Sequence, residues 1–202
     1  MHLELDQADK ENITKSILEK YAKASVSMAG SFRYPTGAQA LRMLGYEETI
    51  LSLLPESVQA VYCGVGNPFS LGAIELGMAV IDIGCGAGVD TLIAALMVGP
   101  GGRVVGIDIT PDMVERAKAN LRQVKLPNVS FYQASAEQLD FPPEGFDVAI
   151  SNGALNLVVN KERALAEIYK VLKPGGRLMV ADQVLVGEPP QSIKGMVASW
   201  YR

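Results

Sequence analysis

Asp82, Gly84, Gly86 and Gly88 stand in one short run, VIDIGCGAGVDT (Val80 to Thr91), in which an apolar stretch gives way to alternate glycines and then to a helical pattern. Glycines there let the backbone turn sharply and approach a ligand closely, while the free N–H groups of the helix start point into the same space. The dinucleotide fingerprint, G-x-G-x-x-G, sets a pyrophosphate on the helix N-terminus. Here the glycines run G-x-G-x-G, Val89 holds the third glycine's place, and Asp82 precedes the first. An acid at that strand end repels a pyrophosphate but suits an ammonium or its bound water. The loop is therefore read as a site for a cationic sulfonium ligand in preference to a dinucleotide. Asp108 closes the next apolar run, VVGID, roughly 20 residues on, where an acid accepts hydrogen bonds from ribose hydroxyls. Its other reading is a helix cap, a role that Thr110 can already fill.

These residues need strand ends to carry them. From Met78 onward short β-type runs, MAVIDIG, RVVGIDI, NVSFYQA, FDVAISN and GRLMVAD, alternate with helical patterns. The runs are apolar on both faces, as in strands buried between helix layers, so the fold class is α/β: a Rossmann-like, doubly wound, mostly parallel sheet. Thr110-Pro111-Asp112 starts a helix that runs to Val124, and Asn160 caps another with the apolar stripe Ala164, Leu165, Ile168, Val171 and Leu172. Pro174-Gly175-Gly176 is expected to stop that helix and turn the chain into the last strand. A helix over Val89–Val98 is apolar nearly all round. Residues 1–75 read as an N-terminal helical cap, with Ile13, Ile17 and Tyr21 at helical spacing, short helices in GAQALRMLGY and EETILSLL, and Pro35, Pro55 and Pro68 between them. Residues 76–202 form the ligand-binding domain, which would lack the last two strands of such a sheet. An uncovered edge favours a homodimer.

Composition narrows the chemistry. With 49% hydrophobic and 20% charged residues, the chain has the balance of an ordered globular protein. A net charge of -4 gives no basic footprint, so nucleic acid is not an expected partner. The charged start and the short apolar window Thr91–Val98 suit neither a secretion signal nor a membrane span, which points to the cytoplasm. Cys63, Cys85 and His2 are too few for a disulfide framework, a zinc site or a Ser-His-Asp triad. No metal is expected. Met43, Met78, Met97, Met113, Met179 and Met196 read as core fillers.

The loop, the acid and the segment QASAEQL together resemble the class I S-adenosylmethionine-dependent methyltransferases. LGYEETILSLLPESV, GVGNP, VGPGGRVVGIDITPDMVERAKAN, ISNGALNL and VLKPGGRLMVAD are similar, more narrowly, to the arsenite methyltransferase family. The resemblance implies S-adenosylmethionine as cofactor, with Asp82, Gly84, Cys85, Gly86 and Gly88 around its methionine part. Asp108 would hold the ribose, Ile109 would pack on the adenine, and Ala136 and Glu137 would meet the adenine edge. Asn152 and Gly153 would lie where the methyl group points. These two and Asn156 are also the expected acceptor floor, with Tyr34 and Tyr62 as wall candidates and Tyr21 reaching down from the cap.

The likeness stops at the thiols that hold trivalent arsenic in that family. GCGNP reads Gly64-Val65-Gly66-Asn67-Pro68 here, and SNCVINL reads Ser151-Asn152-Gly153-Ala154-Leu155-Asn156-Leu157, so Val65 and Gly153 replace two cysteines. Cys63 and Cys85 read as packing residues. The expected activity is methyl transfer to a small molecule. An arsenite methyltransferase-like protein with an altered substrate, or a cofactor-binding module without turnover, stands beside it. No catalytic residue is singled out, because in-line displacement on a sulfonium needs positioning and no obligatory base.

Overall fold

The computed structural model describes residues 5–28, 30–184, 186, 197 and 200. His2 and Met196, named above, lie outside them. Five parallel strands form one sheet in the order β3-β2-β1-β4-β5: β1 (Ala79–Ile83), β2 (Arg103–Asp108), β3 (Val129–Gln133), β4 (Phe146–Asn152) and β5 (Leu172–Ala181). The order reverses between β1 and β4, where Ile83 pairs with Ser151 and the Ser151 hydroxyl donates to the Ile83 carbonyl at 3.0 Å. Ligands of open α/β sheets bind outside the carboxyl ends of the strands at such a point.

Two cores explain why the strands are apolar on both faces. Val80, Val104, Val148 and Ile150 join the cap and two helices on one side, α5 (Val89–Val98) and α6 (Pro111–Val124). Ile81, Ile83, Val105 and Ile107 pack with Ile168 and Val171 of the third helix, α7 (Lys161–Val171), on the other. The cap shares the first core through Leu41, Leu51, Leu54 and Val58. Before α5 lie α1 (Gln7–Val26), α2 (Gly37–Met43), α3 (Glu48–Leu51) and α4 (Glu56–Gln59), and a 3-10 turn over Pro68–Leu71. Asp6 caps α1 by accepting from the Asp9 N–H at 2.8 Å, and Ile13 and Ile17 are its buried stripe. No helix among the described residues is long and apolar enough to cross a membrane.

Several expectations need correction. Leu165 stands 48% exposed on α7, because only Ala164, Ile168 and Val171 of the supposed stripe face the sheet. Met43, at the end of α2, is 65% exposed and fills no core. Pro174-Gly175-Gly176 does not stop α7, which has already ended at Val171. It forms a bulge inside β5, with the register jumping between Phe146↔Leu172 and Val148↔Arg177 and Gly175 at φ +78°. Thr110 occupies the cap position of α6 but makes no side-chain cap bond.

Candidate cofactor site

The glycine loop leaves β1 and folds toward β2, with the Gly84 and Cys85 N–H groups donating to the Ile107 carbonyl at 2.9 and 2.8 Å. Gly84, Gly86 and Gly88 all have left-handed backbones, at φ +73°, +51° and +82°. Side chains have no room at two of them: a Cβ on Gly84 would strike Ala154, and one on Gly88 would lie 2.6 Å from the Phe131 ring. Gly86 faces open space instead. From α6, the buried Asn120 amide donates to the Ala87 carbonyl at 2.9 Å and holds the loop from behind. Asp108 braces it from the front, accepting from the Gly86 N–H at 2.9 Å and the Thr110 N–H at 2.8 Å. The Thr110 side chain also hydrogen-bonds this carboxylate, which still keeps acceptor capacity for a ligand.

Above this loop a crevice opens at the strand ends, with about 1100 Å³ of space including its solvent-facing mouth. Thr14, Ile17 and Tyr21 of α1 roof it, and Ile83, Ala134 and Gly153 lie on its floor side. Asp82, Asp90, Asp108 and Glu137 line it, and no Lys, Arg or His joins them among the described residues. Burial pushes the Asp82 carboxyl well above the usual range, reinforced by Asp90 and opposed by the Thr91 hydroxyl, which donates at 2.6 Å. Burial likewise raises Asp108 against its two backbone donors. It raises Asp90 to about 6 although Tyr46 and Asn152 donate to it. A pocket with buried acids and no base is built for a cation.

That charge imbalance sets a pH dependence. An acid whose folded value is raised favours folding below its unfolded value, and the benefit is lost as pH rises through the folded value. For Asp90, going from 3.8 to about 6 corresponds to about 3 kcal/mol. The ligand-free protein is therefore expected to gain stability between pH 7.5 and pH 5, read as a higher urea midpoint. Asp147 and Glu167, whose values are lowered, act only below that window. A flat or falling midpoint would show that these acids do not face one another unneutralised.

Of the residues expected from sequence, Asp82, Gly84, Cys85, Gly86, Asp108, Ile109, Ala136, Glu137, Asn152 and Gly153 all line this one crevice, as do Tyr21, Tyr62 and Cys63. Gly88 does not: it serves the packing of α5 and α6 on β3. Asn156 does not either, and its N–H donates to Asp182 at 2.9 Å behind the crevice. Tyr34 stands outside the lining and donates to the Cys63 carbonyl at 3.0 Å. Burial pushes the Cys63 thiol up to about 12, so it is a poor nucleophile. Sequence reading missed Asp90 and Tyr46. The usable signal was an acid in an apolar helix, which must find donors when buried.

Residues 74–200 match the methyltransferase domain family. Over 159 residues, 79% of this chain and 40% of the relative, the chain is 35% identical to the arsenite methyltransferase of Halobacterium salinarum. Over 110 residues, 54% of this chain and 44% of the relative, it is 41% identical to the ubiquinone/menaquinone biosynthesis C-methyltransferase UbiE of an Enterobacter species. The crystal structure of an arsenic (III) S-adenosylmethionine methyltransferase from Chlamydomonas reinhardtii matches with a TM-score of 0.56 at 33% identity, over 74% of this chain and 50% of that one. The chain spans half or less of the length of each of these proteins. Because the matched stretch runs through all five strands and the whole glycine loop, the chain belongs to the class I S-adenosylmethionine-dependent methyltransferases.

Proposed function

We propose that this chain transfers a methyl group from S-adenosylmethionine to a small organic acceptor. The observation that carries this reading is the open cradle at Gly86, braced by Asp108, in a crevice whose buried acids lack any basic neighbour. That environment suits a ligand carrying both a sulfonium and an ammonium. Asp108 would accept from the ribose hydroxyls, Ile109, which is 37% exposed, would cover the adenine, and Ala136 and Glu137 would meet its edge. Asp82 would face the methionine end. Bound there, the cofactor supplies an activated methyl group. The chain's part is to hold an acceptor in line with it and keep water out.

The acceptor end favours an organic molecule over trivalent arsenic. Val65 and Gly153, the two positions where the arsenite methyltransferase pattern carries thiols, are neighbours: a Cβ on Gly153 would lie 3.3 Å from a Val65 methyl. An apolar contact therefore stands where a soft metalloid would need two sulfurs. In incubations with S-adenosylmethionine, S-adenosylhomocysteine measured by mass spectrometry is expected to accumulate with members of a thiol, amine and phenol panel and not with arsenite. Methylated arsenic would overturn the acceptor assignment. Tight cofactor binding with no product from any panel member would instead favour a binding module.

A further inference from the structure

Asp90 is the second residue of α5, directly after the glycine loop, and it is buried. One of its oxygens accepts from the Tyr46 hydroxyl at 2.7 Å and the other from the Asn152 amide at 2.9 Å. Asn152 then passes the connection on. Its Oδ1 accepts from the backbone N–H groups of Val65 at 2.8 Å and Gly66 at 3.1 Å. Its amide also faces the Gly66 carbonyl at 2.8 Å and the Tyr62 hydroxyl at 3.0 Å. The Tyr46 and Tyr62 hydroxyls, 3.1 Å apart, both reach that carbonyl. Gly64 fits only because it has no side chain, since a Cβ there would strike the Asn152 amide and the Tyr62 hydroxyl.

The carboxamide of Asn152 thus has no capacity left for a ligand: its oxygen takes two N–H groups, and its two hydrogens already face four acceptors. We infer that Asp90, Asn152 and Tyr46 are positioning residues that couple the donor cradle to the acceptor wall. On the reading of the crevice as the donor site, a bound nucleoside orders residues 84–88 and with them the first turn of α5. Asp90 is then fixed, and two hydrogen bonds further along, the 64–66 segment that presses Val65 on Gly153 is fixed too. Coupling of this kind is reciprocal, so an acceptor held at Val65 and Gly153 strengthens donor binding by the same factor.

Amide hydrogen exchange of the full chain, with and without S-adenosylhomocysteine, tests this at the Val65 and Gly66 N–H groups. Saturating nucleoside is expected to slow their exchange at least tenfold. In Asn152→Ala that added protection at Val65 and Gly66 disappears, whereas nucleoside still protects residues 84–88. Tyr46→Phe keeps the ring and removes one hydroxyl, and it is expected to reduce the protection if Asn152→Ala does not fold. Nucleoside binding that protects residues 84–88 but leaves Val65 and Gly66 unchanged overturns the coupling, as does protection that survives both substitutions. No binding of S-adenosylmethionine or S-adenosylhomocysteine to the unaltered chain overturns the donor-site reading itself, and the coupling with it.

Discussion

Gly88→Ala is expected to lower the stability of the protein by about 2–5 kcal/mol, as read from urea unfolding. Two penalties add. The backbone at Gly88 sits at φ +82°, where an L side chain costs about 1–2 kcal/mol. The new Cβ would also lie 2.6 and 2.9 Å from two Phe131 ring atoms and 3.0 Å from the Ala117 Cβ. The ring cannot retreat, because a Cβ on Gly106 of β2 would meet it at 2.6 Å as well, and Phe131 is part of the main core. Overpacking of that kind typically costs about 1–3 kcal/mol. Gly101→Ala is the control, since a Cβ there meets nothing within 4 Å. Equal stability of both variants would mean that the helix does not rest on β3 as described.

Asp108→Ala is expected to weaken S-adenosylmethionine binding by about 3 kcal/mol, or roughly a hundredfold in Kd. The loss has two sources. The charge-assisted hydrogen bonds proposed between Asp108 and the ribose hydroxyls would disappear, each normally stronger than a neutral pair. The brace on the Gly86 N–H goes with them, so the loop must be ordered at the ligand's expense. Asp108→Asn keeps the shape and one acceptor, and a loss of about tenfold is expected from the missing charge. Titration calorimetry at fixed salt measures both. An Asp108→Ala protein that binds as tightly as the original would remove this carboxylate from the site.

The central strands β1, β2 and β4 were legible because burial on two faces leaves a two-sided apolar signature; the edge strands β3 and β5 are buried only in part, yet each of the five runs named from sequence became a strand. The long helices were legible through their caps: Asn160 does accept from the Arg163 N–H, and Pro111 does open α6. Of the short elements, α2 and α3 fall within GAQALRMLGY and EETILSLL as read, whereas α4, four residues long, presents no full period and was missed. Tertiary context decided the rest. Leu165 matches a helical stripe by spacing, yet it falls where α7 turns away from the sheet. Most of the crevice could be read because its residues are strand-end and loop positions set by β1, β2 and β4. The network joining Tyr46 and Asp90 to Tyr62 and Asn152 could not, because its members lie up to 106 residues apart and spacing alone does not bring them together.

An all-parallel sheet also dictates how the chain must find its native state. Among the described residues no two strands form a hairpin, so no pair of these strands can zip from a tight turn, and each pairing waits for a crossover to close. The central pair, with Val80 opposite Val148, joins segments separated by β2, β3 and two helices. Folding speed is therefore governed by non-local closure, and the apolar faces of β1 and β4 stay exposed to other chains until that closure is complete.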